Sequence, residues 1–367
     1  MSATKIAKID TIPLRIPFDH GGNLFGWGGR AWTVLDVLLV RIETEGGLVG
    51  WGEAFSYNCR APVQAIIDTM LTPILIGRDA ADIGRLSYEL QQTLHLFGRY
   101  GMTIFALSGI DIALWDLAGK AAQLPLYRLL GGNGAARLDA YASLFRYQDV
   151  EIVAERCKAA LAEGYRYVKL HEIREPEVRA ARDAMGAGIP LMVDTNCPWT
   201  PEQARAMAYQ FKPYDIYWLE EPIFPPEDFA ALAALQRETG IPIAAGENAS
   251  TAFQFRDMFA AGAVRYAQPS VTKVGGVTEM RKIITLAEAS AVSVVPHAPY
   301  FGPGFLATLH VLSATPNPGL VERLYVKVEA SLYGDLIHPT EGTFRAPDGP
   351  GLGRDPDPDV IASYRVS

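Results

Sequence analysis

Four short apolar runs in the middle of the chain each end in charged or polar residues: Tyr167-Val168-Lys169-Leu170-His171, Leu191-Met192-Val193-Asp194-Thr195-Asn196, Tyr217-Trp218-Leu219-Glu220-Glu221 and Ile243-Ala244-Ala245-Gly246-Glu247. Runs of this length, rich in aliphatic and aromatic residues, are typical of buried strands. Ala-rich amphipathic stretches, such as residues 201–211 and 229–239, lie between them and are typical of helices. The middle of the chain therefore predicts alternating strands and helices around a parallel sheet.

The same pattern extends in both directions and provides eight strand candidates. They are residues 138–143, 167–170, 191–194, 217–220, 243–246, 266–268, 293–296 and 320–324. Further helical stretches, including residues 152–163 and 279–289, fill the intervals. Eight such units favour a closed TIM-type (β/α)7-8 barrel over an open doubly wound sheet, which usually has about five or six strands. We therefore predict an α/β fold with a barrel over residues 135–325.

The first 130 residues are organised differently. Strand-like runs at residues 6–15, 34–43 and 48–53 come first, and residues 62–130 are then helical in pattern. Within the helical part, Ile110, Leu114 and Leu117 fall on one face, which predicts a buried amphipathic helix over residues 108–120. Gly131-Gly132-Asn133-Gly134 then interrupts the chain. A separate α+β domain is therefore expected over residues 1–130.

A glycine-rich segment, residues 18–30, joins the first two predicted strands. It contains five glycines together with the aromatic residues Phe18, Phe25 and Trp27. From the residues alone, a lid that closes over a ligand and a simple surface hairpin are equally good interpretations.

The composition of the 367 residues excludes several classes of protein. Lys and Arg number 33 against 41 Asp and Glu, a formal net charge of −8 without any basic block, so nucleic-acid binding is not expected. Three cysteines without a CxxC pair indicate neither a disulfide framework nor a thiolate zinc site. The N-terminal residues have no apolar signal segment, and no stretch approaches the ~20 apolar residues needed to cross a bilayer. We therefore expect a soluble, cytoplasmic protein with no membrane partner.

Polar residues recur at the ends of the predicted barrel strands with a regular interval. Successive members are 23 to 27 residues apart and form the series Lys169, Asp194, Glu220, Glu247, Ser270, His297 and Glu322. In a barrel of this type the strand ends meet at one rim, which carries the active site. Asp194, Glu220 and Glu247 are thereby expected at one place. Each carboxylate could instead have its own salt bridge, but a cluster of three is tolerated mainly when a cation neutralises it.

The expected cation is Mg²⁺, because a cluster that offers only oxygen ligands favours a hard divalent ion. Lys169 and His171 are expected on one side of it, and His297 across the barrel mouth. A single histidine after a strand is more often a hydrogen-bonded core residue than a catalyst, but opposed proton-transfer groups around a metal indicate catalysis. General acid–base catalysis contributes about 10²–10⁴-fold, and a metal adds several kcal/mol at a developing oxyanion. The layout therefore predicts enolate chemistry.

The sequence resembles the enolase superfamily, in its mandelate racemase and muconate lactonizing branch. The resemblance covers nearly the whole chain and rests on the order of these motifs: Gly50-Trp51-Gly52-Glu53, Ser108-Gly109-Ile110-Asp111, Val168-Lys169-Leu170-His171, Val193-Asp194-Thr195-Asn196, Trp218-Leu219-Glu220-Glu221-Pro222, Gly246-Glu247, Lys273-Val274-Gly275-Gly276, Pro296-His297 and Asp348-Gly349-Pro350-Gly351-Leu352-Gly353. It implies one Mg²⁺ on Asp194, Glu220 and Glu247. It also implies a small carboxylate substrate that loses its α-proton to give an enediolate.

The same resemblance implies how the rest of the chain is used. Residues 1–130, completed by residues 326–367, would form a capping domain over the barrel. The 18–30 segment and residues 55–57 would cover the substrate, which favours the lid interpretation, and the protein would be a homo-oligomer. Lys169 would steady the enolate and Glu322 would hydrogen-bond a substrate carboxylate oxygen. The other residues expected to contact the substrate are Asn196, His20, Trp27, Phe55 and Tyr57.

Two positions depart from the pattern of the superfamily. His171 stands where the second lysine of a Lys-x-Lys pair is usual, and an imidazole can serve as a base at pH 7 without the large downward shift in pKa that a lysine needs. Ser270 stands where related branches have an aspartate that orients the histidine of the seventh strand, or a catalytic lysine. His297 therefore lacks its usual carboxylate partner. This weakens it as a base and leaves it suitable as an acid that protonates a leaving hydroxyl.

The leading functional hypothesis is dehydration of a sugar-derived acid, in which one side chain takes the α-proton and another protonates the departing hydroxyl. Racemisation or epimerisation would need competent bases on both faces, and cycloisomerisation would need an internal nucleophile or leaving group. Glycoside hydrolysis by a carboxylate pair such as Glu220 and Glu247 is a more remote alternative. A degenerate barrel that only binds ligands or partners is the alternative outside enzymes.

Overall fold

The protein is described by a computed structural model that covers residues 3–22 and 31–366. Within these residues the strands are, in chain order, β1 Ile6–Asp19, β2 Val34–Thr44, β3 Val49–Ala54, β4 Leu138–Ser143, β5 Val168–Leu170, β6 Leu191–Asp194, β7 Ile216–Glu220, β8 Ile243–Ala245, β9 Tyr266–Ala267, β10 Ser293–Val294, β11 Val321–Leu324, β12 Lys327–Val328 and β13 Thr343–Phe344. The α-helices are α1 Arg60–Ile66, α2 Thr72–Leu75, α3 Ile83–Thr93, α4 Met102–Ala122, α5 Leu126–Leu129, α6 Val150–Ala162, α7 Glu175–Met185, α8 Pro201–Phe211, α9 Phe229–Thr239, α10 Thr251–Ala260, α11 Gly276–Ala289, α12 Pro303–Ser313 and α13 Pro358–Tyr364.

The first sheet is antiparallel and has the order β12-β1-β2-β3. Its three long strands occupy the positions predicted from the sequence. The fourth, β12, comes from beyond the last barrel strand and pairs Val328 with Phe18. A further bridge joins Leu14 to Arg365. Residues from both the beginning and the end of the sequence therefore complete this sheet.

Helix α4 packs against this sheet and is buried around nearly its whole circumference. Gly109 lets the helix approach closely, since a Cβ there would lie 3.0 Å from the Ala54 backbone nitrogen. The predicted burial of Ile110, Leu114 and Leu117 is confirmed, but the other faces of the helix are buried as well, so the amphipathic pattern is not one-sided. With 21 residues, α4 is also long and apolar enough to cross a bilayer, so the statement that no stretch approaches this length was wrong. Because 78% of its most apolar window is buried inside the protein, α4 has the environment of a core helix.

The second sheet forms the barrel, and all eight of its predicted strands are present. Its parallel strands follow the order β10-β9-β8-β7-β6-β5-β4-β11, and β13 adds an antiparallel pair to β4. Among the described residues, strand pairing does not continue from β10 to β11, the two ends of this order. Gly319, just before β11, instead packs against Val294, where a Cβ would lie 2.0 Å from the carbonyl oxygen. Strands β9 and β10 are shorter than predicted, with two residues each.

An apolar layer fills the barrel interior below the strand ends. Its buried members are Tyr141, Met192, Trp218, Ala244 and Val295. Because side chains two residues apart on a strand point to the same side, Asp194 and Glu220 stand directly above Met192 and Trp218. The Trp218 indole N–H donates to Glu220 Oε2 at 2.9 Å. The polar rim therefore lies directly above a buried apolar layer.

Asp116 of α4 joins three separate parts of the chain. Its carboxylate accepts the backbone N–H of Trp51 at 2.8 Å and of Leu352 at 2.7 Å, and lies 2.7 Å from Lys120 Nζ. The side chain is 2% exposed. The motifs around Trp51, Asp116 and Leu352 are thus held together by one buried carboxylate.

We predict that Asp116→Ala lowers the free energy of unfolding by about 3–5 kcal/mol, because it leaves buried donors and a lysine without their acceptor. Asp355→Ala is the matched control. Asp355 also contacts Lys120 Nζ, at 2.6 Å, but is 57% exposed, so its loss should cost less than about 1 kcal/mol. Urea denaturation of both variants measures the difference, and equal losses would contradict the assignment.

Candidate active site and metal centre

Three carboxylates meet at the carboxyl ends of neighbouring barrel strands. Asp194 ends β6, Glu220 ends β7 and Glu247 follows β8. One oxygen from each lies within 4.8 Å of the others. The side chains of Asp194 and Glu220 are 1% and 0% exposed, and that of Glu247 is 17% exposed. The structure thus brings together the three acids that the sequence interval selected.

Lys169 lies at the centre of the rim and contacts several carboxylates. Its Nζ is 2.9 Å from Glu220 Oε1, 2.9 Å from Glu322 Oε1 and 3.3 Å from Asp194 Oδ2. Burial favours the neutral amine, but Glu220 and Glu322 outweigh it and hold the pKa of Lys169 well above its usual value. The surrounding carboxylates therefore favour the charged form of Lys169.

The single positive charge of Lys169 does not neutralise the carboxylates around it. Burial and the neighbouring Asp194 raise the pKa of Glu220 well above its ordinary value. Burial acts in the same direction on Asp194, yet Lys169 and His171 pull the pKa of Asp194 below its usual range. The carboxylates of Asp194 and Glu220 thus compete for too little positive charge. A buried set of oxygen ligands with this deficit fits a divalent cation such as Mg²⁺.

His171 contacts Asp194, the carboxylate of the triad that ends β6. Its Nδ1 lies 2.5 Å from the Leu144 carbonyl oxygen. Because a carbonyl only accepts, Nδ1 carries a hydrogen whether the ring is neutral or charged, so Nε2 is the nitrogen that gains or loses a proton. Nε2 faces the carboxylates, 3.2 Å from Asp194 Oδ2. The ring is therefore oriented to exchange a proton at Nε2.

Arg146 holds the ends of two neighbouring strands together. Its guanidinium donates to the His171 carbonyl, to the Thr195 carbonyl at 3.0 Å and to Asn196 Oδ1 at 3.1 Å. The side-chain oxygen of Asn196, expected to bind substrate, is thus already engaged. Sequence reasoning missed Arg146 because it follows the first barrel strand in a loop, outside the regular series of polar residues.

His297 contacts Glu247, the carboxylate of the triad that follows β8. Its Nε2 lies 3.0 Å from Glu247 Oε2. Burial raises the pKa of Glu247, but His297 and Lys273 outweigh burial and lower it to about 2. On the other side of the ring, Nδ1 lies 3.4 Å from the Tyr300 hydroxyl, which itself hydrogen-bonds Ser270. Tyr300 was missed because the sequence series singled out only the residue at the strand end.

Glu322 has both carboxylate oxygens engaged within the protein. Oε1 accepts from Ser143 Oγ at 2.8 Å and contacts Lys169, and Oε2 accepts the Ala298 N–H at 2.9 Å. Burial alone would raise the pKa of Glu322, but Lys169 and His297 lower it. In this arrangement both oxygens of Glu322 have partners within the protein, and its contact with a substrate carboxylate stays a prediction.

The remaining residues expected at the substrate differ in their surroundings. His20 is 4% exposed and stacks on Phe145 with ring centroids 4.8 Å apart, and neither of its ring nitrogens has a hydrogen-bond partner among the described residues. Phe55 lies under Lys273, with Nζ 4.8 Å from the ring centroid. The Tyr57 hydroxyl donates to the Pro299 carbonyl at 2.7 Å. Trp27 lies outside the described residues.

Two family models match the chain in sequence. Residues 32–131 match the mandelate racemase / muconate lactonizing enzyme N-terminal domain, and residues 152–360 match the enolase C-terminal domain-like family. The chain belongs to the mandelate racemase / muconate lactonizing enzyme family. The resemblance to the enolase superfamily and the predicted fold class are thereby confirmed.

Members of this family with named activities are similar over nearly the whole chain. A 3,6-anhydro-alpha-L-galactonate cycloisomerase from Streptomyces coelicolor is 33% identical, covering 87% of this chain and 88% of the relative. An arabinonate dehydratase from Saccharolobus solfataricus is 31% identical, covering 92% of each. The crystal structure of a racemase from Streptomyces coelicolor with bound magnesium superposes with a TM-score of 0.88 at 31% identity, covering 98% of this chain and 100% of that one.

Proposed function

We propose that this family member dehydrates a sugar-derived acid by removing the proton α to its carboxylate. The observation that carries the proposal is the placement of two histidines on opposite sides of one carboxylate triad. His171 contacts Asp194, the ligand from β6, and His297 contacts Glu247, the ligand after β8. Two proton-transfer groups separated by a metal centre suit a reaction in which one proton leaves carbon and another joins the departing oxygen.

We propose that Asp194, Glu220 and Glu247 hold one Mg²⁺. Their oxygens lie within 4.8 Å of one another, and a related racemase structure contains magnesium. Mg²⁺ bound there would act as a Lewis acid that stabilises the negative charge developing on the substrate carboxylate. The positive charge of Lys169, which lies beside Asp194 and Glu220, would stabilise the same negative charge on the substrate.

The roles of the two histidines follow from their hydrogen bonds. His171 takes the α-proton at Nε2, because the Leu144 carbonyl keeps the other hydrogen on Nδ1. The electron pair of the broken C–H bond first moves towards the substrate carboxylate to give an enediolate, and it then forms the α,β double bond as the β C–O bond breaks. His297 gives a proton to the departing hydroxyl, which leaves as water. The resulting enol becomes a 2-keto acid by tautomerisation.

Cycloisomerisation is a second candidate, favoured by the cycloisomerase among the relatives. The same side chains would remove the α-proton, but the departing oxygen would belong to a ring of the substrate. That oxygen then stays attached to the product. The two reactions therefore differ in whether water is lost, and both use the same triad.

A test by isotope and mass separates these reactions. The Mg²⁺-loaded enzyme is incubated in deuterated water with a panel of sugar acids and anhydro sugar acids, and products are analysed by NMR and mass spectrometry. After correction for solvent deuterium taken up by the product, dehydration is expected to yield a 2-keto product lighter than substrate by one water. After the same correction, an unchanged mass with a new keto group would favour cycloisomerisation. Deuterium in recovered substrate of inverted configuration, without a keto product, would contradict both and favour racemisation. Full activity after removal of divalent metal would sink the enolate proposal and revive glycoside hydrolysis.

We also propose the arrangement of the whole protein. Residues 1–130 with residues 326–367 form the cap, and residues 135–325 form the barrel; the pairing of β12 with β1 supports this division. The substrate is a small carboxylate. A homo-oligomer in the cytoplasm, without nucleic-acid or membrane partners, stays a prediction from the sequence.

A further inference from the structure

A chain of buried hydroxyl groups contacts His297 on the side that faces away from the carboxylates. Tyr300 is 1% exposed and packs edge-on against the imidazole, with ring centroids 6.0 Å apart and planes at 84°. Its hydroxyl forms a long hydrogen bond of 3.4 Å with Nδ1 and a short one with the Ser270 hydroxyl. Ser270 in turn lies 3.3 Å from the Thr272 hydroxyl. Because Nε2 is directed at Glu247, Nδ1 is the atom through which the ring orientation can be held.

Residues that follow β3 hold Tyr300 in place. The rings of Phe55 and Tyr57 lie against it, with centroids 6.4 Å and 6.1 Å from that of Tyr300. The Tyr57 hydroxyl also donates to the carbonyl of Pro299, the residue before Tyr300. The segment from His297 to Tyr300 is therefore fixed from the antiparallel-sheet side of the site as well as from the barrel.

The hydroxyl chain stands where the resemblance leads one to expect an acid at position 270. A carboxylate can only accept from an imidazole, whereas a tyrosine hydroxyl both donates and accepts. Tyr300 therefore orients the ring without adding another negative charge next to Glu247 and Glu322. Since the Tyr300 hydroxyl lies between Ser270 and the imidazole, Ser270 acts on His297 through Tyr300.

From this geometry we infer that Tyr300 is the positioning residue of His297 and that Ser270 acts by holding Tyr300. The inference rests on the proposed function, because His297 matters as a proton donor only in that reaction. It goes further by assigning a residue that replaces the missing acid. A neutral hydrogen-bond chain thus holds the imidazole with Nε2 directed at Glu247.

The central test is Tyr300→Phe, which keeps the ring and removes only the hydroxyl. We expect kcat for product formation to fall by about 10-fold or more, since misplacing a proton-transfer group forfeits part of its about 10²–10⁴-fold contribution. KM should change by less than about 2-fold, because the hydroxyl acts on the transition state rather than on binding. Exchange of the α-proton through His171 should persist. The midpoint of thermal unfolding should stay near that of the wild type.

Tyr333→Phe is the matched control. Tyr333 is also 1% exposed, and its hydroxyl has no hydrogen-bond partner within residues 3–22 and 31–366. Removing it should leave kcat unchanged. A fall in kcat of equal size in Tyr333→Phe, or an unchanged kcat in Tyr300→Phe, would overturn the inference. A rise in KM at constant kcat in Tyr300→Phe would also overturn it, because that result assigns the hydroxyl to substrate binding.

Ser270→Ala tests whether Ser270 acts on His297 through Tyr300. If Ser270 acts through Tyr300, the double variant Ser270→Ala/Tyr300→Phe should be no slower than Tyr300→Phe alone. Independent effects that multiply in the double variant would contradict action through Tyr300.

A spectroscopic readout separates failure of this inference from failure of the proposed function. In protein labelled with ¹⁵N-histidine, the resonances of His297 are identified by their loss in His297→Asn. Tyr300→Phe should move them and Tyr333→Phe should not, whether or not a substrate has been found. Unmoved resonances would overturn the positioning role even in an active dehydratase. If the resonances move but the protein converts no sugar acid, the positioning role of Tyr300 is supported and the proposed function is contradicted.

Discussion

Replacing His171 with asparagine is expected to lower the rate of α-proton exchange by about 10²–10⁴-fold, the usual contribution of a general base. The amide of asparagine can still donate to the Leu144 carbonyl, which now receives Nδ1–H at 2.5 Å. The substitution therefore removes the basic nitrogen while preserving the anchor. Exchange is measured by NMR from deuterium entering the substrate of the Mg²⁺-loaded enzyme.

His297→Asn should behave differently from His171→Asn. If His297 protonates the leaving hydroxyl, its loss stops product formation, while the α-proton continues to exchange through His171. The exposed His95 provides a matched histidine control, because it lies outside the site; His95→Asn should change neither rate. Loss of exchange in His297→Asn with retention in His171→Asn would reverse the two roles.

Glu220→Gln is expected to abolish the stabilisation that Mg²⁺ confers and to lower kcat/KM by about 10³-fold or more. A metal supplies several kcal/mol to such a transition state, and each 1.36 kcal/mol corresponds to about tenfold in rate. Wild-type protein should gain about 2.7 kcal/mol of stability when Mg²⁺ is at about 100 times its Kd. Thermal unfolding with and without Mg²⁺, together with titration calorimetry, measures both effects.

The metal-free form of the same variant tests whether Glu220 is a ligand or a structural residue. Burial and Asp194 raise the pKa of Glu220, so a neutral amide relieves their repulsion, but its NH2 group would face a donor, either Lys169 Nζ or the Trp218 indole N–H. Unfolding of the metal-free variant measures this structural cost, and the loss of Mg²⁺ stabilisation is measured relative to it.

Glu53→Gln is the control, because Glu53 is a buried carboxyl that accepts the Gly304 N–H at 2.8 Å, outside the triad. It should retain Mg²⁺ binding. Retained Mg²⁺ stabilisation in Glu220→Gln would exclude Glu220 as a ligand.

The barrel was predictable because its signal is local and repeated. Each strand is a short apolar run, and the interval between Lys169, Asp194, Glu220 and Glu247 stays close to one strand-helix unit. The pairing of Val328 with Phe18 had no such signal, since the partners lie at opposite ends of the sequence. Likewise, α4 looks one-sided in sequence, but only the packed structure reveals that other elements also cover its second face.

The candidate site was predictable to the extent that its residues end strands. A strand end has a fixed position in the barrel, so the three acids and the two histidines could be assigned to one rim. Arg146 and Tyr300 lie on loops, whose paths depend on packing between distant segments. The hydrogen bonds of Glu322 to Ser143 and Ala298 depend on side-chain direction. Neither the paths of these loops nor these side-chain directions can be read from the spacing of residues in the sequence.

The position of β12 has a consequence for synthesis on the ribosome. β1, β2 and β3 emerge first and can pair at once, but the Phe18 and Asp19 end of the outer edge of β1 pairs with Val328 and Lys327 of β12. Nearly the whole barrel must therefore be translated before this end of β1 has its strand partner. An unpaired strand edge invites association with other chains. We therefore expect this end of β1 to be open to such association until β12 is synthesised.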